Sequence, residues 1–365
     1  MNTSCVKEDL QKALTVAERH TSAEENLPLL KGVLLESSEN KLYVRSTNLD
    51  TGIEVFVPTK TKRKGSVVVP AKTFSSFLTT LPDERITLDV KNGNLVVTTP
   101  STSTTIKGYS ADDFPPFPKL KKTTSIQISN DDLSRDLLSV VIAASSSEIK
   151  PEISSVLFSV QKKGIKFVAT DSFRLAEKTI PFSSDQYYSL LFPFRHVLEL
   201  IKVVEIFPSS LEILFDSNQA ILRGNNFLYF ARLRDASFPQ YEQIIPTSFA
   251  TEVTLKKSNF LKAIRGASIF SGRLREVCFN VYPEDNLFEV VTKNSDIGEY
   301  VSQIPAKVTG ERLSVNFNYG YIIDGINQIS SDDIILRFNG ESKPVLIQNP
   351  YNASYIYLAM PMKNI

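Results

Sequence analysis

In SVVVPAKTFSSFLTTL, residues 66–81, a short β-rich run leads directly into an amphipathic helix. Apolar residues stand four, seven, eight and eleven positions after Pro70, a spacing typical of one face of an α-helix. The same offsets recur after Pro193 in SLLFPFRHVLELIKVV, residues 189–204. They recur again after Asn318 in LSVNFNYGYIIDGINQI, residues 313–329, with a glycine at one position. A strand–helix unit found three times indicates an internal repeat.

The rest of the chain repeats with the same period. Asn48, Asp171 and Asn294 are 123 residues apart, and each follows a pair of β-rich runs. An earlier helix opens each copy, with apolar residues at offsets of zero, four and seven: Leu10, Leu14 and Ala17; Leu133, Leu137 and Val140; Phe260, Ile264 and Ala267.

These patterns predict an α+β fold of three homologous domains, each with two helices packed on antiparallel sheets. The segments DFPPFPKLKKTT (113–124) and FPQYEQIIPTS (238–248) interrupt the periodicity and mark the linkers. We therefore expect domains at residues 1–122, 123–247 and 248–365. The predicted helices cover residues 5–20, 71–82, 129–145, 193–206, 256–270 and 318–329.

Composition narrows the class of protein. The N-terminal MNTSCVKEDLQKAL lacks the pattern of a signal peptide, and no apolar run is long enough to span a membrane, so a cytoplasmic protein without membrane contact is expected. Cys5 and Cys278 match no zinc or redox spacing, and two histidines cannot build a histidine site, so neither metal nor cofactor is predicted. The net charge of +1 means that any contact with DNA must come from local placement of basic residues.

Six motifs resemble the bacterial sliding clamp family, the DNA polymerase III beta subunits. ATDSFRLA (169–176) and MPMK (360–363) are the most specific; the others are LPLLKGVLLE (27–36), VVVPAKTF (67–74), SADDFPPFP (110–118) and DASFPQY (235–241). The resemblance implies DNA-clamp domains that close as a head-to-tail dimeric ring. It implies a non-catalytic processivity factor of chromosomal replication that encircles duplex DNA without reading its sequence. The implied partners are a second copy, the DNA polymerase III alpha subunit, the clamp loader and other proteins with a clamp-binding motif.

The resemblance also implies a dimer interface made by edge-strand pairing between Ser103–Tyr109 of one protomer and Ile269–Asn280 of the other. Ile269 and Phe270 are the expected apolar anchors, opposite Thr104 and Ile106. Thr104 stands where some family members have an aromatic residue, which predicts a weaker apolar contact.

Helices that line a ring should turn basic faces to the DNA phosphates. The residues expected to face DNA are Lys12, Arg19, Lys72, Arg135, Lys150, Arg195, Lys202, Lys262 and Arg265. Their helices carry only a slight basic excess, and solvated helix faces are the alternative interpretation. Glu24 and Glu25 stand where relatives can present a basic loop and should repel phosphate, whereas Lys150 keeps the charge in the corresponding loop of the middle domain.

By resemblance, partners dock a short peptide in an apolar pocket between the second and third domains. Methionine suits such a site, because its flexible side chain can repack around different ligands. Leu175, Ile244 and Leu358 can alternatively be plain core residues. Ser172 and Phe173 depart from the commoner TDGHR pattern, which has glycine and histidine there. The implied pocket residues are Ile153, Thr170, Ser172, Phe173, Arg174, Leu175, Pro239, Ile244, Tyr321, Leu358, Met360, Pro361 and Met362.

Two other functions remain open from the residues. Asp171 and Arg174 can be imagined as an acid–base pair of an enzyme, although the chain has no phosphate-binding G-x-x-x-x-G-K-[ST] loop. A clamp-like scaffold that binds peptides without encircling DNA is the second alternative, favoured by the nearly neutral helices.

Overall fold

The computed structural model describes residues 1–22, 28–118, 120, 124–128 and 132–362. They form two compact units, one from Met1–Ser134 with Arg195–Asp235 and the other from Arg135–Phe194 with Ala236–Ile365. Glu24 and Glu25 lie outside the described residues, so their effect on DNA stays a prediction.

Six α-helices occur within the described residues, and each matches a predicted helix. The predicted apolar positions are buried in all six, except that Phe77 is half-buried. The spacing of the apolar residues therefore predicts the buried face of each helix correctly. The helices are Lys7–Arg19 (α1), Ala71–Thr80 (α2), Leu133–Val141 (α3), Phe194–Ile206 (α4), Lys257–Phe270 (α5) and Tyr319–Asn327 (α6).

The first unit contains one antiparallel sheet of twelve described strands. Its main path runs β8-β7-β6-β1-β4-β16-β15-β14-β9, and a branch of three strands leaves β4 in the order β3-β2-β5. The strands are Asn2–Val6 (β1), Gly32–Ser38 (β2), Lys41–Thr47 (β3), Thr51–Arg63 (β4), Gly65–Pro70 (β5), Arg85–Lys91 (β6), Asn94–Thr98 (β7), Ser103–Ile106 (β8), Thr124–Ile128 (β9), Leu211–Phe215 (β14), Gln219–Arg223 (β15) and Phe227–Arg232 (β16).

The second unit contains two antiparallel sheets. Nine strands follow the order β13-β10-β11-β12-β25-β24-β23-β17-β21, and four follow the order β20-β19-β18-β22. The strands are Ser155–Gln161 (β10), Gly164–Thr170 (β11), Arg174–Ile180 (β12), Tyr188–Pro193 (β13), Thr251–Lys256 (β17), Glu276–Tyr282 (β18), Leu287–Asn294 (β19), Gly298–Pro305 (β20), Lys307–Gly310 (β21), Leu313–Asn318 (β22), Asp333–Phe338 (β23), Val345–Asn349 (β24) and Asn352–Ala359 (β25).

The same pairing of strands occurs within each of the two units. β4 pairs with β16, with Thr51 opposite Ala231, and β12 pairs with β25, with Arg174 opposite Ala359. β4 follows the loop at Asn48 and β12 follows the loop at Asp171, so the two strand joints are copies of one design. β20 follows the equivalent loop at Asn294 and pairs with β19 on one side, whereas its other side is the edge of the four-stranded sheet.

This strand order corrects one prediction about the dimer interface. The strand portion of Ile269–Asn280 belongs to β18, which is hydrogen-bonded to β19 on one side and to β22 on the other. Both backbone edges of β18 are occupied, so the prediction that Ile269–Asn280 supplies the pairing strand is wrong. β8, which contains Thr104 and Ile106, does lie at the edge of its sheet.

Close packing fixes helix α6 against the sheet of its unit. An added Cβ at Gly325 would lie 2.3 Å from the ring of Tyr357 on β25, closer than real side chains approach. Glycine at this apolar-face position therefore lets the helix backbone sit directly on the tyrosine ring. The described helices include none that is both long and apolar enough to span a membrane.

Candidate functional site

The loop between β11 and β12 is organised by two side chains. Asp171 Oδ1 accepts the backbone N–H groups of Phe173 and Arg174 at 2.9 and 3.0 Å. Thr170 Oγ1 donates to the Arg174 carbonyl at 2.7 Å and accepts the Ser172 N–H at 3.2 Å. Ser172 takes a left-handed φ of 77°, which completes the tight turn. This turn holds Phe173 outward with 61% of its surface exposed.

Arg174 ties this loop to helix α6. Its Nε donates to Asp171 Oδ2 at 2.9 Å, and Nη1 donates to Asp324 Oδ2 at 2.6 Å. The guanidinium also lies over the Tyr321 ring, 4.5 Å from its centroid. Burial alone would lower the pKa of Arg174, but Tyr357, Asp324 and Asp171 outweigh burial and hold that pKa above its usual range. The Arg174 side chain is therefore charged, and these contacts hold it in one position.

An apolar floor lies beside the loop. Leu175 on β12 stands opposite Leu358 on β25, and both are almost completely buried. Tyr241, in the linker after the middle repeat, packs into the same cluster and donates a hydrogen bond to Glu177 Oε2 at 2.6 Å. The other members of this cluster are Leu157, Val168, Leu191 and Leu346, with Phe238, Ile245 and Phe249 packed against it.

Apolar side chains at the rim remain accessible while their backbones are fixed. Ile244 is 48% exposed and Met360 is 36% exposed. The Met360 N–H donates to the Phe173 carbonyl and the Met362 N–H to the Asn316 carbonyl, both at 2.8 Å. A rigid backbone with exposed apolar side chains can bind the apolar residues of an extended peptide at low entropic cost.

The structure brings together most, but not all, of the predicted pocket residues. Thr170 to Leu175 meet Leu358 and Met360 through strand pairing, and Tyr321 joins through Arg174. The plain-core alternative agrees with the burial of Leu175 and Leu358 and is wrong for Ile244. Pro239 is exposed, Pro361 is half-buried and Ile153 is buried before β10, so their part in binding stays a prediction.

Sequence reasoning left three residues that shape this site out of the predicted pocket. Tyr241 supplies part of the floor, and its signal was present in the quoted motif DASFPQY. Asp171 shapes the loop, and because Arg174 and the loop backbone occupy its carboxylate, the acid–base interpretation loses its base. Asp324 carried no sequence signal, because its partner Arg174 lies 150 residues away.

All nine residues expected to face DNA are exposed. Two of them already have acidic neighbours on the same helix: Lys12 lies 2.6 Å from Glu8 and Lys202 lies 2.7 Å from Glu205. The hydrogen bond that Lys12 donates to Glu8 raises the pKa of Lys12, so the ammonium stays charged but is paired with a carboxylate. Their role in binding DNA stays a prediction.

Comparison with known proteins gives a consistent match along the chain. Residues 1–118, 127–240 and 242–363 match the N-terminal, central and C-terminal domains of the DNA polymerase III beta subunit. The Beta sliding clamp of Bacillus subtilis is 27% identical, with 98% of each chain covered, and that of Synechococcus elongatus is 25% identical, with 100% of this chain and 99% of the relative covered.

Solved structures agree with the sequence matches. The DNA polymerase sliding clamp of Bacillus subtilis superposes with a TM-score of 0.93 at 26% identity, covering all of both chains. The DNA polymerase III beta subunit of Thermotoga maritima gives the same TM-score at 24% identity, again with complete coverage.

Proposed function

The chain belongs to the DNA polymerase III beta subunit family, and we propose that it is a processivity clamp of chromosomal DNA replication. It catalyses no reaction: two copies encircle duplex DNA, slide without reading sequence and tether the DNA polymerase III alpha subunit, the clamp loader and other partners by their peptide segments. It acts in the cytoplasm and needs no cofactor.

The observation that carries this proposal is the apolar site around Leu175, Leu358 and Met360. Its backbone is held by the Thr170–Arg174 loop and by β25, while Phe173, Ile244 and Met360 stay accessible. Such a site suits peptide capture.

Ring closure uses the strand edges that the repeat leaves for a second copy. β4, β12 and β20 are the equivalent strands of the three repeats. β4 pairs with β16 and β12 pairs with β25, so β20 should pair with the strand that is equivalent to β16 and β25. That equivalent is β8, the outer strand of the first repeat. We therefore assign β8 of one protomer and β20 of the other as the pairing edges. Phe270 stacks on Tyr300 of β20 at 5.8 Å, and Ile269 beside it is 70% exposed.

A point substitution tests the peptide site. Met360→Asp places a charge where an apolar side chain of the peptide should pack, and anchors of this kind contribute about 2 kcal/mol, or roughly a thirtyfold change in affinity. The readout is the dissociation constant of a fluorescent peptide that carries the clamp-binding segment of the polymerase alpha subunit.

Tyr187→Asp is the control, because Tyr187 is also an exposed apolar residue, at 71%, but lies outside the site. We expect unchanged affinity for this control. Equal affinity of the Met360 variant and the unsubstituted protein would remove the support for the peptide site.

A further inference from the structure

The first unit contains a cleft of about 610 Å³ that is built like the proposed peptide site. It lies beside the joint of β4 and β16, the copy of the β12·β25 joint. We propose that this cleft is a second peptide-binding groove, which takes a short extended segment of a partner protein with an apolar residue next to an acidic one. The inference rests on the proposed function, because it transfers peptide binding from one copy of the joint to another.

The loop that shapes the cleft matches the Thr170–Arg174 loop bond for bond. Asn48 Oδ1 accepts the N–H groups of Asp50 and Thr51 at 3.1 and 2.7 Å. Thr47 Oγ1 donates to the Thr51 carbonyl at 2.7 Å and accepts the Leu49 N–H at 3.0 Å. Leu49 takes a left-handed φ of 75°, as Ser172 does at 77°. The first unit therefore presents the same rigid turn beside the same type of strand joint.

The walls of the two sites are formed by equivalent strands and linkers of their repeats. Phe230 stands on β16 where Leu358 stands on β25, and the linker that follows each repeat contributes the opposite wall. In the first unit that linker is Phe114–Pro118, whose Phe117 ring packs edge-on against Phe230 at 6.4 Å. Leu49, 44% exposed, and Leu233 complete the apolar lining.

The differences between the two sites indicate what this groove would bind. Gly52 occupies the position of Leu175, so this position contributes no side chain to the floor of the groove. Arg232 occupies the position of Met360 and lies at the mouth with its side chain 62% exposed. Its contact with Asp50 is long, at 3.7 Å, and both partners are solvated, so an acidic group of a peptide can compete for the guanidinium at little cost.

The test uses random heptapeptides displayed on phage and selected on the full-length protein. Each recovered peptide is then measured against Leu49→Arg, which charges this groove, and against Met360→Asp, which charges the first site. Circular dichroism checks that both variants are folded. We expect one class of peptides to lose at least tenfold in affinity with Leu49→Arg and to be unaffected by Met360→Asp, and we expect this class to be rich in Asp or Glu beside Leu or Phe.

Arg232→Ala should weaken the same class only at low salt, because it removes a solvated charge. Recovery of peptides that are sensitive only to Met360→Asp, or to neither substitution, would overturn the second groove. If Leu49→Arg alone has an effect, the second groove stands and the proposed first site fails, so the two failures are distinguishable.

Discussion

Ser172 adopts a backbone conformation that serine disfavours. Its φ of 77° is left-handed, which costs a residue with a Cβ about 1–2 kcal/mol, whereas glycine adopts it freely. The hydrogen bond from the Ser172 N–H to Thr170 Oγ1 and the bonds to Asp171 hold the turn in place. Local polar contacts thus stabilise a strained residue at the site where Phe173 is presented.

Replacing Ser172 by glycine should therefore stabilise the protein. Part of the relieved strain is lost to the greater freedom of glycine in the unfolded chain, so we expect a net gain of up to about 1 kcal/mol. The measurement is the midpoint of urea unfolding. Ser159→Gly in β10 is the control, since glycine in an extended strand should lower the midpoint. A similar loss in both variants would contradict the strain at Ser172.

His20, which follows helix α1, contacts Glu199 of helix α4 in the first unit. His20 Nδ1 lies 3.3 Å from Glu199 Oε2 and 3.0 Å from Thr51 Oγ1. Burial alone would raise the pKa of Glu199, but its contacts with His20, Thr51 and His196 outweigh burial and hold that pKa below its usual value. The ionised carboxylate therefore favours the folded state.

This contact predicts a pH dependence of stability. A carboxyl whose pKa is lowered by folding contributes stability above its unfolded pKa, and that contribution is lost as pH falls through the folded pKa. We expect the urea midpoint to decline between about pH 5 and pH 3, and to decline less steeply in Glu199→Gln. Glu205→Gln, at an exposed pair on the same helix, should keep the slope of the unsubstituted protein. Equal slopes in all three proteins would show that Glu199 does not couple to folding.

The repeat also explains how far sequence could predict these elements. Offsets of four and seven identify the buried helix face, because they follow from local helix geometry alone. The free strand edge could not be found in this way, since an edge depends on the order of strands brought together from distant parts of the chain. The resemblance places the pairing strand within Ile269–Asn280, whereas β18 in that range has β19 and β22 on its two sides. Similarly, Arg174 was predicted as a site residue, but its partner Asp324 required the fold.

Equivalent positions diverge where different segments cover them. Leu34 stands opposite Val68 in the first repeat and Leu157 opposite Leu191 in the second, and linker residues such as Phe114 and Tyr241 pack on these pairs. The third pair is Cys278 and Asn316, which line an open cleft. The backbone register is thus retained, while side-chain polarity depends on what covers each face.

On the scale of the whole molecule, the proposed ring should retain DNA by topology rather than by affinity. The chain carries a net charge of only +1, and Lys12 and Lys202, both proposed to face DNA, lie beside carboxylates. Few released counterions mean weak direct binding. A closed ring still cannot leave circular DNA, whereas it can slide off a linear end.

The clamp loader first loads the protein onto nicked circular DNA. We expect the loaded protein to remain bound at a salt concentration that abolishes direct binding. It should dissociate within minutes once a nuclease linearises the circle. Gel filtration of labelled protein with the DNA measures the retained fraction. Ile269→Asp is the ring-breaking control, because it charges an exposed anchor beside β20 and should yield monomers and no retention. Lys107 is an exposed residue just past β8, the other proposed pairing edge. Lys107→Asp should likewise yield monomers and no retention. If a protein of dimer mass left circular and linear DNA at equal rates, retention would not be topological. The protein would then be a clamp-like scaffold that binds peptides without encircling DNA.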